Sequence, residues 1–162
     1  MNPNALLVEQ AKVVPCLLGT VPSTSTPTRV SLKNYGKVTF LVFVKNATTV
    51  TGSAITLKQS KTVAGGSEKA VSFARAHRNI DTAAGDTLAE FAVTSDTFTT
   101  DATNSKNLLY VLEVRPDDLD VDGGFDVVGV GTGDATAATV TVIALLWPAR
   151  HGGALDASAI TD

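Results

Sequence analysis

The chain has 162 residues, a formal charge of −3 and only 18% charged side chains, against about 25% in ordinary soluble domains. Its 13 lysines and arginines are scattered, so no basic stripe is available to neutralise a phosphate backbone, and nucleic-acid binding is not expected. One cysteine, Cys16, and two histidines, His77 and His151, exclude an internal disulfide and the usual zinc tetrad, and no cofactor is expected.

The length suits one domain with a core that needs no staples. No run of about 18 apolar residues is present to cross a membrane, and the first residues lack the basic and apolar regions of a secretory leader. A soluble chain made in a cytoplasm, with no membrane partner, is the expectation. Threonine, alanine, serine and glycine fill the place of the missing charges. Threonine is β-branched and suits a half-exposed pleated surface, so the composition favours strands. A mean hydropathy of +0.18 with so few charges suggests that a partner covers part of the surface.

Taken in chain order, Leu6, Leu7, Gln10, Ala11 and Val14 recur near the helical period and predict a short helix or an extended arm over residues 4–14. Pro22 and Pro27, among serines and threonines, then read as a linker. Residues 1–27 are therefore assigned to an N-terminal arm and linker, 28–148 to a core and 149–162 to a C-terminal tail.

From Thr28 onward, short apolar or alternating runs are separated by Gly, Asn, Asp and Ser, the pattern of an all-β sandwich. Strands are predicted at 29–32, 37–45, 53–60, 69–74, 88–94, 97–100, 108–114, 125–130 and 139–146, eight or nine in all. Ile55 and Leu57 alternate with Thr56 and Lys58, which buries one face. Residues 38–44 and 140–146 are almost continuously apolar, as in central strands with both faces covered or strands lying against a neighbouring subunit. Gly65 and Gly66 mark a hairpin turn, and residues 81–86 read as another. Phe40, Phe43, Phe73 and Tyr110 are expected in the core, with Trp147 at an exposed edge.

Few residues offer chemistry. Asp118, Asp120 and Asp122, followed by Gly123, reproduce the first half of a calcium loop and are the candidate metal ligands, but the twelfth position holds Gly129 where a bidentate glutamate belongs. A solvated acidic turn is the expectation. Gly129, Gly131 and Gly133 have the spacing of a nucleotide loop, yet the sequence after them leads into a strand rather than a helix and reads as a hairpin tip. His77 lies in a basic stretch and His151 in the tail, so neither is placed as a general base, and Cys16 reads as a small buried hydrophobe. Glu90 and Glu113 are the carboxylates from which an acid/base pair could be drawn. The chain is not expected to be an enzyme. Asn46-Ala47-Thr48 matches a glycosylation acceptor but reads as a turn.

The segments Tyr35-Gly36-Lys37-Val38-Thr39-Phe40-Leu41-Val42, Thr51-Gly52-Ser53-Ala54-Ile55-Thr56-Leu57-Lys58-Gln59, Asn107-Leu108-Leu109-Tyr110-Val111-Leu112-Glu113-Val114 and Asp117-Asp118-Leu119-Asp120, with Gly124-Phe125-Asp126, resemble head decoration or cement proteins of tailed phages, encoded near the major capsid protein. The likeness runs from about Arg29 to Leu146. It implies a jelly-roll-like antiparallel β-sandwich of about eight strands on the outside of a virion capsid. Its partners would be the major capsid protein and copies of itself, as a homotrimer.

Such a protein needs a rigid scaffold and extensions rather than catalysis, and binding only the assembled shell stabilises that shell by mass action. Leu6, Leu7 and Val13 in the arm, and Arg75, His77 and Arg78 in a basic loop, are the expected partner contacts. The competing expectations are a head-to-tail or tail component of a virion, a carbohydrate-binding or adhesin-like module, and a calcium-dependent or hydrolytic enzyme built on the acidic turn.

Overall fold

β-Branched and aromatic residues at every second position favour strands that bury one face, and this chain uses the device from end to end. The computed structural model describes residues 4–22, 28–93, 95–133, 137–150 and 158–161. One turn of helix, α1 (Leu7–Gln10), is followed by β1 (Lys12–Thr20), β2 (Arg29–Ser31), β3 (Tyr35–Asn46), β4 (Ala54–Ser60) and β5 (Lys69–Ala70). Next come β6 (Arg75–Asn79), β7 (Ala89–Glu90), β8 (Thr97–Thr99) and β9 (Asn107–Val114). A 3-10 turn (Pro116–Asp118) then leads to β10 (Val127–Thr132) and β11 (Ala138–Ala149).

The strands form two antiparallel sheets. The larger runs β1-β11-β3-β9-β6-β7, and the smaller runs β2-β10-β4-β5, with β8 also pairing with β4. From β2 to β4 and again from β7 to β11, successive strands alternate between the sheets. Val38, Phe40, Val42 and Val44 of β3, together with the alternate residues of β9 and β11, meet Val30, Ile55, Leu57, Val128 and Val130 of the smaller sheet in one buried cluster. The result is sandwich-like. Phe73, Phe91, Phe98 and Tyr110 pack largely edge to face at one side of the core, and the Tyr110 hydroxyl accepts a hydrogen bond from the Asp101 amide at 2.8 Å.

Several expectations change. Residues 12–20, assigned to the arm, form β1 and pair with β11 from Lys12–Leu146 to Thr20–Val140, because Val14 and Cys16 supply a buried face that the helical reading ignored. The basic stretch at Arg75 is strand β6, paired with β9, rather than a loop. Gly129 and Gly131 lie within β10, not at a hairpin tip. A Cβ on Gly129 would stand 2.8 Å from Cγ of Arg29, so glycine there leaves room for the arginine stem to cross the sheet. Of 69–74 and 88–94, only Lys69–Ala70 and Ala89–Glu90 are paired as strands.

The turn at Gly65 is as expected, with its amide donating to the Thr62 carbonyl at 2.9 Å and φ at 92°. Within the expected tail, residues 158–161 return to the body of the protein: Ala159 is 2% exposed, and its carbonyl accepts from the Ser31 amide at 2.9 Å. His151 lies outside the described residues.

Candidate interaction surface

Strands in the middle of a sheet expose two faces, and only one of them faces the core. In the larger sheet the second face is apolar too. Register places Pro15, Ile143, Leu41, Val111 and His77 in one row across β1, β11, β3, β9 and β6. The adjacent row is Val13, Leu145, Thr39, Glu113 and Arg75, and on the other side lie Thr141, Phe43, Leu109 and Asn79. None of the outer-face aliphatic residues belongs to the buried cluster of the core.

Charges sit at the two ends of this face. At one end Glu113 accepts from Lys37 at 2.5 Å and lies 3.4 Å from Nε of Arg75 and 3.5 Å from Arg115. Lys37 also stands 4.0 Å above the ring of Trp147, which is half-buried rather than fully exposed. At the other end are Lys45 and Asn107, paired in register. Between them the side chains of β11, β3 and β9 are aliphatic, aromatic or threonine, while β6 contributes His77 and Asn79. Phe43, expected in the core, belongs here and is 40% exposed. The reason is parity: it follows the buried Val42 and so points to the opposite side.

The six expected contact residues divide among three places. Val13 and His77 lie on the outer face, at opposite margins. Leu6 and Leu7 are exposed around α1, which packs against β1 and β11. Arg75 is engaged within the chain, donating to Asp118 as well as facing Glu113. Arg78, at the neighbouring parity, lies over the ring of Phe91 at 5.1 Å. The basic cluster is therefore not one surface.

The acidic turn does not gather its carboxylates. Asp118 accepts from Arg75 and from the Arg115 amide, Asp120 accepts from Lys69 and the Gly123 amide, and Asp122 is exposed. Lys69 is the largest influence holding the Asp120 carboxyl below its ordinary range. Among the described residues no three His, Cys, Asp or Glu side chains converge to hold a metal. Glu113 is committed to three cations, while Glu90 stands exposed at the far edge, paired in register with His77. Cys16 is buried, and burial pushes its thiol up to about 11. The Asn46 amide nitrogen is also internal, donating to the carbonyls of Asp101 and Thr103 at 2.9 Å each.

No family model, curated protein or solved structure matches this chain. Leu41, Leu109, Val111, Ile143 and Leu145 are the residues that site-by-site reading passed over. For Leu41, Ile143 and Leu145 the signal was the almost continuous apolar character of 38–44 and 140–146, and for Leu109 and Val111 it was the apolar run of the strand at 108–114.

Proposed function

We propose that this protein decorates and stabilises the exterior of a phage capsid. It does so by binding the lattice of the major capsid protein as a homo-oligomer, a trimer in the simplest arrangement, without catalysis. The observation that carries the reading is the apolar outer face centred on Leu41, Val111 and Ile143. The central side chains of this face are partly exposed, and it is a candidate partner site because the largest apolar patch on a monomer, about 300–600 Å², is often functional.

Four strands at about 4.8 Å spacing and eight residue steps of about 3.4 Å give the face roughly 500 Å² of flat area. A stable pairwise interface buries about 800 Å² per partner. One copy therefore holds its partner modestly, and joining copies turns modest contacts into firm retention. That arithmetic suits a multivalent shell component better than an isolated receptor. In this reading the sandwich is jelly-roll-like in its alternation of strands between sheets, and the rows of the outer face running from Val13 and Pro15 to Arg75 and His77 meet the capsid.

The test is to mix the purified chain with DNA-filled capsids lacking it and to measure co-sedimentation. Saturation at a fixed ratio of copies to capsid subunits supports decoration. Absence of binding overturns it and turns attention to the carbohydrate-binding alternative, which a glycan array tests directly.

A further inference from the structure

Exposed apolar side chains of the larger sheet gather toward its two ends, with Leu18 and Val21 exposed on and just after its edge strand β1. At one end Leu6, Leu7 and Val8 are 67%, 48% and 67% exposed. Their root is fixed, since Ala11 is buried and Lys12 pairs with Leu146 near the C-terminal end of β11. At the other end, residues 80–88, tied back by the Thr82 amide donating to the Asn107 carbonyl at 3.0 Å, border a cleft of about 640 Å³ on the outer face. Phe43 and Leu109 lie in it beside Leu88, and Lys45 and Asp86 bring charge to it.

We propose that this cleft receives the Leu6-Leu7-Val8 segment of a second copy of the chain, in a head-to-tail contact repeated from copy to copy. The segment cannot serve its own cleft. Thr139 and Thr141 line the cleft, five to seven residues before Leu146 on the same strand, which is about 17–24 Å. A single helical turn of four residues spans only about 6 Å and starts beyond the far end.

One charge pair is complementary across this contact, Glu9 with Lys45, while Asp86 lies on the loop side of the cleft. Glu9, next to the triad, is exposed, and its carboxylate is engaged only locally, accepting from the Leu6 amide at 2.7 Å. Lys45 is exposed and enters none of the ion pairs found among the described residues. Seating the triad over Phe43 and Leu88 brings Glu9 toward Lys45. Because the two surfaces differ, the contact is heterologous, giving a ring where the rotation per copy closes and an open chain of copies where it does not. The proposal rests on the reading of the chain as a self-associating shell component, but it is tested on the free protein with no capsid present.

Sedimentation equilibrium of the full chain is compared with Glu9→Lys, Lys45→Glu and the double variant. All alter exposed side chains, and unchanged thermal unfolding of each verifies the fold. Wild type is expected to associate, each single variant to weaken association about tenfold, and the double variant to restore it. In parallel, Leu7→Cys and Leu88→Cys chains are mixed under oxidising conditions, with disulfide dimers on a non-reducing gel expected when both variants are present and not with either alone. A wild-type monomer, an oligomer indifferent to both charge changes, failure of the double variant to recover, or cross-linking of Leu7→Cys only to itself would each overturn the contact. A wild-type monomer would also remove the homo-oligomer from the capsid reading, whereas the other outcomes bear on this contact alone and leave capsid co-sedimentation as a separate test.

Discussion

Leu41 and Val111 face one another across β3 and β9 on the side of the larger sheet that points away from the core. Their neighbours Phe40 and Leu112, one residue away, also pair and are fully buried on the other side. This relationship separates binding from folding. Leu41→Ser and Val111→Ser are expected to change stability by at most about 1 kcal/mol each, because neither side chain lies in the buried cluster. Phe40→Ala, by contrast, is expected to cost about 3–5 kcal/mol. In urea titration the first two should overlay wild type closely, while in capsid co-sedimentation they should weaken binding about tenfold or more.

The Tyr110 hydroxyl ties the core to the 101–106 loop by accepting from the Asp101 amide. Tyr110→Phe keeps the ring and removes the acceptor, leaving a partly buried amide without it. The expected loss is about 1–2 kcal/mol in urea unfolding. A midpoint identical to wild type would show that the loop finds another acceptor.

Acid should destabilise the fold through a specific set of carboxylates. The Glu68 carboxyl is pushed up by burial, but Arg29 and Lys58 together outweigh this and leave it below its ordinary 4.5. Hydrogen bonds from Lys106 and Lys69 likewise hold Asp81 and Asp120 below 3.8. In each case the unfolded chain takes up its proton first as pH falls, so the unfolded state binds more protons in the window below about pH 4.5. The contribution is full above that window and is lost as pH drops through the folded values. Unfolding midpoints should therefore be level from neutral pH down to about 5 and fall below about 4.5. In Lys69→Met and Lys106→Met the part of this fall due to Asp120 and Asp81 should shrink.

Cys16 should be inert in the native protein. With its thiol near 11, about one molecule in a thousand carries the thiolate at pH 8, and the group is buried as well. Labelling by an aromatic disulfide reagent is expected to be at least about a hundredfold slower than in urea. Fast native labelling would mean that β1 opens from β11 on the timescale of the assay.

Calcium is expected to leave the unfolding midpoint unchanged. Asp118 and Asp120 are already engaged by Arg75 and Lys69, and a cation would have to displace both. A rise in midpoint with calcium but not with magnesium would show that the turn rearranges to bind it.

The all-β class was legible in the sequence because side-chain alternation is local: Ile55 and Leu57 against Thr56 and Lys58 need only their neighbours to declare a half-buried strand. The turn at Gly65 was legible for the same reason, since positive φ is a property of one residue. Tertiary structure decided what depends on partners distant in the chain. β1 exists because Leu146 and Ala144 lie beside it, and its own residues spelled helix or arm equally well. β6 looked like a basic loop until Glu113 and Asp118 were brought against Arg75. Phe43 looked like core because an apolar run does not say which parity faces inward, and only pairing through Val42 fixed it. The sequence determined that 38–44 and 140–146 are almost continuously apolar, and the fold determined which parity the core covers and which it leaves on the outer face.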